Sequence, residues 1–418
     1  MAIVIALAAI LGAPLFAVIA SSALIGFHSQ GVGLVSVPIN IYQLTDTPML
    51  YAIPLFTLAG YLMGESGASG RLIRLSRAWL GWMPGGLSIV ALISCAIFTA
   101  FTGASGVTII AIGGLLYPAM IAEGYPEQFA LGVVTTGGAL GLLFPPSLPP
   151  ILYGVISKVS IDDLYRGGLL PGILMVVVLA SYSIYVSNKS KVPTTPFHLK
   201  AVLSATREAI WEVPLPFVRI GGIYAGKFAV SDAAIVTAAY VIVVEVFIYR
   251  EIPLKKMPRL FRETVVLVGG VLIIVSASLA STNYMIDAQI PVKIAEFTIK
   301  YISSPLTFLI VMNIFLFLVS CLLDIFSHIV IILPLLLPLA ANYHIHPVHL
   351  GIIFLANLQI GYCLPPFGMD LFISSYRFNK PILLLFRSTI PFLILLVLVV
   401  LIITYVPQLS LFLLQHGK

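Results

Sequence analysis

Long apolar runs, interrupted at only a few places, dominate the pattern of hydrophobic and polar positions along this chain. Full-length runs lie near residues 2–27, 48–63, 127–157, 168–187, 213–229, 231–249, 264–283, 347–376 and 389–414. Strands of a membrane barrel would alternate polar and apolar residues. Blocks such as Ile173–Ala180 and Ile390–Tyr405 are instead unbroken. Backbone facing lipid must satisfy its own hydrogen bonds, so these runs are expected to be helices. The fold class predicted is an all-α polytopic membrane protein. The first run has no basic residues ahead of it and continues past Phe16 towards Ile25. That approaches the ~20 residues needed to span a bilayer, so it reads as a retained helix and not as a signal peptide.

Two further apolar stretches, near 84–121 and 304–341, are broken at their midpoints. The first break is Thr102-Gly103-Ala104-Ser105-Gly106, and the second runs from Asp324 to Ser327-His328. Read as re-entrant hairpins that return to their own side, they leave nine full crossings. Composition supports the membrane reading, since 60% of the 418 residues are hydrophobic and 9% are charged. A soluble surface needs roughly a quarter charged residues. Soluble enzymes, nucleic-acid binders and disordered scaffolds are excluded on that ground. With the N-terminus cytoplasmic, Arg71, Arg74, Arg77 and the segments 189–207, 250–262 and 377–387 all fall inside. Most of the 22 Lys and Arg then obey the positive-inside rule. Lys158, Arg166, Lys293, Lys300 and Lys418 fall outside, and Arg219 and Lys227 lie within or near the membrane.

The chain also matches itself at an offset of 220 residues. Pro118 pairs with Pro338, Gly141 with Gly361, Pro145-Pro146 with Pro365-Pro366, and Pro171 with Pro391. Under the predicted topology the two copies enter from opposite sides, so the repeats are inverted. Inverted repeats with broken helices characterise secondary transporters. Prolines at 145–146 and 365–366 cannot donate backbone hydrogen bonds, so each helix is expected to open there. The freed carbonyls of Gly141, Phe144 and Pro146, and of Gly361, Leu364 and Pro366, would suit a dehydrated cation.

The midpoint breaks supply further oxygens. Thr99, Thr102 and Ser105 offer hydroxyls beside Gly103 and Gly106, and Asp324 offers a carboxylate with Ser320 and Ser327 nearby. The first candidate ion site is thus Thr99, Thr102, Gly103, Gly141, Phe144 and Pro146. The second is Ser320, Asp324, Gly361, Leu364 and Pro366. Ser105, Ser147, Ser327 and Asp370 remain as candidate substrate ligands. Ionisable groups deep in a membrane protein are functional candidates, although Asp370 also reads as a helix N-cap after its Pro-Pro break. Asp232 reads as a cap, Lys227 as a side chain reaching the outer interface, and His344, His346 and His349 as a solvated turn. Cys95, Cys321 and Cys363 read as packing residues. Arg71, Arg74 and Arg77, at helical spacing beside Leu72 and Leu75, predict a membrane-surface arm helix. No catalytic constellation is present, so enzyme activity is not expected.

The motifs resemble the large membrane subunit of TRAP transporters, the DctM family, along nearly the whole chain. The carriers are PLFTLAGYLM from Pro54 to Met63, GWMPGGL from Gly81 to Leu87, the PPS core within Gly141–Gly154, GGIYAG from Gly221 to Gly226, and PPFG from Pro365 to Gly368. An Asn is usual in the family where Asp370 stands. The resemblance implies Na⁺-driven import with an elevator-type transport domain of two hairpins and two broken helices. Residues 81–167 and 303–378 would form that domain; 1–80, 168–302 and 379–418 would form the scaffold. It implies Na⁺ as coupling ion and no other cofactor, and a small organic anion such as sialic acid or a C4-dicarboxylate as substrate. The implied partners are a small four-helix membrane subunit (DctQ type) and an extracytoplasmic binding protein (DctP type). The implied location is the bacterial inner membrane, with the C-terminus extracytoplasmic. A self-sufficient carrier or antiporter of related fold is the alternative, and a non-transporting membrane scaffold is a third reading.

Overall fold

The computed structural model describes residues 13–31, 33, 35–43, 51–194, 196–212, 214, 230–302, 304–321, 323–365 and 368–415. The expectations that lie outside them are residues 1–12 of the first run, residues 48–50 of the second, the run at 213–229 apart from residue 214 but including Arg219 and Lys227, Pro366 of the second ion site, and Lys418. Among the described residues every regular element is a helix. We name them α1 (Leu15–Ser29), α2 (Ser36–Gln43), α3 (Ala52–Glu65), α4 (Ala68–Leu80), α5 (Gly86–Thr102), α6 (Ser105–Ala122), α7 (Glu127–Leu143), α8 (Leu148–Ser157), α9 (Ile161–Lys189) and α10 (Leu199–Glu208). The second half continues with α11 (Ser231–Ile248), α12 (Leu254–Asp287), α13 (Ile290–Tyr301), α14 (Pro305–Ser320), α15 (Ile325–Asn342), α16 (Pro347–Gly361), α17 (Met369–Phe378), α18 (Ile382–Tyr405) and α19 (Gln408–Gln415).

Six of these, α6, α9, α11, α12, α15 and α18, are long and apolar enough to cross a membrane, and α7 with α8 makes a seventh if counted as one bent span. The bend between α7 and α8 is 41°. The last apolar run differs from its prediction at both ends: α18 begins at Ile382, and the chain leaves it at Val406, before Pro407. A residue that precedes proline is pushed out of helical geometry, and Val406 has φ −120° and ψ 77°. The predicted break at the second Pro-Pro pair is present, because α16 ends at Gly361 and α17 starts at Met369.

The packing is reciprocal. Helix α5 lies along α6 and against α7, and α14 lies against α16. Then α8, which follows the first break, packs on α15, while α17, which follows the second, packs on α6. A single apolar core runs through these elements and on to α9 and α18. Helices α3, α11 and α12 pack on one another with α1 alongside α12, and they meet the rest through α3 on α5 and α12 on α15.

A helix, α4, forms over the predicted arm, with Arg71 buried in protein while Arg74 and Arg77 stay half-exposed. Arg71 is 3% exposed. Its guanidinium bonds Glu212, Glu245 at 3.0 Å and Glu251 at 2.6 Å, and lies 3.8 Å over the Tyr249 ring. Three carboxylates around one guanidinium hold it against α11, so it is not free for lipid headgroups. Arg74 pairs with Glu208 at 2.7 Å and Arg77 with Glu123 at 2.6 Å. The hydrogen bond from Arg74 holds the Glu208 carboxyl below its ordinary range.

Candidate ion and substrate site

The tip between α5 and α6 turns on Gly103, whose φ of +66° is a left-handed conformation that a residue without Cβ adopts freely. Gly103 N donates to Thr99 O at 2.7 Å and so closes α5. Thr99, fully buried, donates its hydroxyl to Gly138 O at 2.7 Å and shares a 2.6 Å hydrogen bond with Thr108. These contacts bind the tip to α7 just before its break. Thr102 stays local, with its hydroxyl 3.3 Å from Ala104 O.

At the break, Phe144 is extended (φ −87°, ψ 144°), as a residue before proline should be. The tip helix presses on it. A Cβ placed on Gly141 would lie 2.5 Å from Ala100 N and against Ala96 O and Thr99 Cβ. The second break has the same feature, where a Cβ on Gly361 would meet the backbone and side chain of Ser320. Ala100 and Ser320 stand at the same 220-residue spacing as the two glycines.

Four of the break carbonyls, those of Gly141, Phe144, Gly361 and Leu364, differ from expectation in one respect: they are not left without partners. Phe144 N donates to Gly141 O at 3.1 Å, and Ser147 N to Phe144 O at 3.0 Å. Leu364 N donates to Gly361 O at 3.1 Å, and Gly368 N to Leu364 O at 2.8 Å. Tight i to i+3 and i+4 turns replace the lost helical bonds. Each carbonyl keeps a second lone pair, which remains its capacity for a cation.

Of the two aspartates it is Asp324, not Asp370, that caps a helix. Asp324 is the N-cap of α15, accepting from Phe326 N at 3.0 Å and Ser327 N at 3.3 Å, and it also bonds the Ser327 hydroxyl. Asp370 is not a cap; it sits in the first turn of α17 behind Gly368, and its Oδ1 accepts from Ser105 Oγ at 2.6 Å. The reason lies in the breaks: Asp324 directly precedes its helix, whereas α17 starts at Met369 and so already contains Asp370 as its second residue. Asp232 falls in the first turn of α11, in keeping with a terminal role.

Of the four candidate substrate ligands, the structure joins Ser105 and Asp370 directly. Ser147 turns its hydroxyl back to Leu142 O at 2.5 Å, and Ser327 is held by Asp324. Ser320 bonds Leu316 O at 2.5 Å. The histidine cluster is also corrected. His346 Nδ1 accepts from Val348 N at 3.3 Å to cap α16, and His349 is buried between Ser410 Oγ and Thr404 O, both at 3.2 Å. A helix begins at Pro347 and carries His349 inward, while His344 and His346 stay exposed ahead of it. Among the described residues no group of three His, Cys, Asp or Glu could hold a metal ion. The three cysteines are buried and free.

Several residues of the site had escaped notice. Tyr362 reaches across from the second break, and its hydroxyl accepts from Ile325 N at 2.8 Å beside the Asp324 cap. Thr135 donates to Ser374 at 2.9 Å, linking α7 to α17. Tyr362 had one sequence signal, a polar side chain next to the glycine at a break, and Thr135 and Ser374 had none. His328 is fully buried against Phe354, edge to face at 4.9 Å.

Comparison with known proteins gives this arrangement a lineage. The family described as "Tripartite ATP-independent periplasmic transporter, DctM component" matches residues 1–409. The C4-dicarboxylate TRAP transporter large permease protein DctM of Pseudomonas aeruginosa is 33% identical over 90% of this chain and 88% of its own length. The ectoine TRAP transporter large permease protein TeaC of Halomonas elongata is 31% identical over 97% of this chain and 96% of its own. Among solved structures, the YdaH transporter of Alcanivorax borkumensis shares the fold with a TM-score of 0.62 at 12% identity, covering 88% of this chain and 87% of that one. With a family match across almost its full length and relatives of like extent, the chain belongs to the DctM family, the large permease subunits of tripartite ATP-independent periplasmic transporters.

Proposed function

We propose that this permease subunit imports a small organic anion in exchange for the energy of an inward Na⁺ gradient. The observation that carries the reading is the pair of helix breaks, each pressed by a tip helix at the same 220-residue spacing, Gly141 under Ala100 and Gly361 under Ser320. Such pairing supports two repeats of one hairpin and one broken helix, inverted by the charge distribution. Hydroxyl and carbonyl oxygens at Thr99, Thr102, Gly103, Gly141, Phe144 and Pro146 form the first ion site. Ser320, Asp324, Gly361, Leu364 and Pro366 form the second. Ser105 and Asp370 meet between the two repeats, where a substrate would touch both. The crosswise packing of α8 on α15 and α17 on α6 supports one transport body that moves as an elevator against α3, α11 and α12.

The substrate class follows the relatives, whose names specify C4-dicarboxylate and ectoine; a carboxylate such as sialic acid or a C4-dicarboxylate suits a carrier of this lineage. An extracytoplasmic binding protein delivers it, and a small four-helix subunit enlarges the scaffold in the bacterial inner membrane, with the N-terminus cytoplasmic. Reconstituted with both partners, the chain should accumulate substrate under an inward Na⁺ gradient, and Thr102→Ala and Asp324→Ala should each weaken the Na⁺ dependence. Uptake by the lone chain would favour a self-sufficient carrier, and uptake indifferent to Na⁺ would remove the coupling.

A further inference from the structure

One carboxylate oxygen at the centre of the molecule is left over. Asp370 has 0% exposure, its Oδ1 accepts from Ser105 Oγ at 2.6 Å, and its Oδ2 has no hydrogen-bond partner among the described residues. The position is in the first turn of α17, yet the amides there do not fill that oxygen: Asp370 N donates to Tyr362 O, and Leu371 N and Phe372 N donate to Gly368 O. The nearby charged groups are engaged elsewhere. Arg377, at the far end of α17, donates to Ile110 O at 3.0 Å, and Lys380 pairs with Glu127 at 2.5 Å. Asp324, beyond Tyr362, is occupied as a helix cap. A fully buried carboxylate with an unshared oxygen is costly unless a positive charge stands beside it.

The first ion site has the opposite deficit. Its six ligands are hydroxyls and carbonyls without formal charge, whereas the second site contains Asp324. Ser105, the residue that Asp370 holds, stands three positions after Thr102 and two after Gly103 on the same tip. The contact between Ser105 and Asp370 therefore brings a carboxylate of the second repeat to the neutral site of the first. We propose that Asp370 supplies the counter-charge of the first Na⁺ site across the contact between the repeats, so that ion binding and the Ser105–Asp370 latch form together. This rests on the Na⁺ reading above. It places the charge on the opposite repeat from the ligands, so the ion would draw the two repeats together.

The test uses the purified full chain in detergent and reads thermal unfolding against Na⁺ at constant ionic strength, with choline as replacement, so neither substrate nor partner is needed. Asp370→Asn keeps the shape and an acceptor for Ser105 while removing the charge. It should raise the half-effective Na⁺ concentration about tenfold or more. Thr102→Ala should do the same, and the double variant should add little, since both remove one site. A wild-type Na⁺ response that Thr102→Ala weakens but Asp370→Asn leaves unchanged would overturn the proposal and spare the Na⁺ reading. Stabilisation that follows acid pH instead of Na⁺ and vanishes in Asp370→Asn would assign the oxygen to a proton and also overturn it. No Na⁺ response in the wild type would remove both. If Asp370→Asn does not fold, Ser105→Ala, which keeps the carboxylate but cuts the latch, should shift the Na⁺ response in the same direction, and an unchanged response overturns the proposal.

Discussion

The tip-and-break unit of the first half and that of the second share a geometry and differ in chemistry. In both, the last turn of a helix rests on a glycine where the neighbouring helix opens, Gly141 under α5 and Gly361 under α14. The first unit is closed by threonine hydroxyls, with Thr99 reaching Gly138 O and Thr108. The second is closed by the Tyr362 hydroxyl on Ile325 N and by an aspartate that caps its own helix. Backbone approach requires only that a Cβ be missing, so Gly and Pro set the shape twice. The side chains around that shape are free to differ, and the difference is where charge enters. Function at these units should therefore respond to side-chain changes in ways that differ between halves, while loss of the glycines should act alike in both.

The largest expected effect tests that likeness. In Gly141→Ala the new Cβ would stand 2.5 Å from Ala100 N, and in Gly361→Ala 2.7 Å from the Ser320 carbonyl carbon. Backbone cannot rotate away as a side chain can, so each should destabilise by about 3 kcal/mol, near the upper end for overpacking. Gly269→Ala, where nothing lies within 4 Å, is the control and should be neutral or stabilising in its helix. Thermal unfolding of the three variants decides the matter. Tolerance at one of the two breaks and not the other would end the claim of shared geometry.

How much of this was legible in the sequence follows the same division. Gly103, Gly141, Gly361 and the Pro-Pro pairs announce themselves, because backbone constraints act locally and leave a local mark. The long apolar helices α9, α11, α12 and α18 were equally plain as runs, whereas α6 and α15 read as halves of re-entrant hairpins and are each long enough to cross by themselves. What escaped were contacts between distant segments. Nothing near residue 362 says that its hydroxyl serves the amide of Ile325, and nothing near residue 71 says that its guanidinium meets Glu212, Glu245 and Glu251. Which of the two aspartates caps a helix was hidden for a related reason. Whether an acid caps a helix depends on whether the helix starts at the next residue, and α15 starts one residue after Asp324 whereas α17 starts one residue before Asp370.

A middle-sized effect should separate the two closing devices. Thr99→Val keeps the volume but strands Gly138 O and Thr108, and Tyr362→Phe strands the Ile325 amide. Leaving a buried partner unsatisfied costs about 1–2 kcal/mol in either case. The distinction lies in ion response: Thr99→Val removes a proposed ligand oxygen and should weaken Na⁺ stabilisation, whereas Tyr362→Phe should lower the unfolding temperature and leave the Na⁺ dependence intact. Equal loss of Na⁺ response in both would mean that Tyr362 belongs to the second site as a ligand.

The smallest effect concerns Asp324, where capping and charge coincide in one carboxylate. Asp324→Ala removes both, and loss of the cap alone should destabilise by about 1 kcal/mol. Asp324→Asn keeps an oxygen for the amides of Phe326 and Ser327, since Asn caps as well as Asp, so its stability without Na⁺ should stay within a few tenths of a kcal/mol of the wild type. If the carboxylate also serves the second ion site, Asp324→Asn should lose Na⁺ stabilisation as fully as Asp324→Ala while retaining the fold. If Asp324→Asn responds to Na⁺ as the wild type does, the aspartate is a helix cap and nothing more, and the second unit, like the first, would hold its ion without a charge of its own.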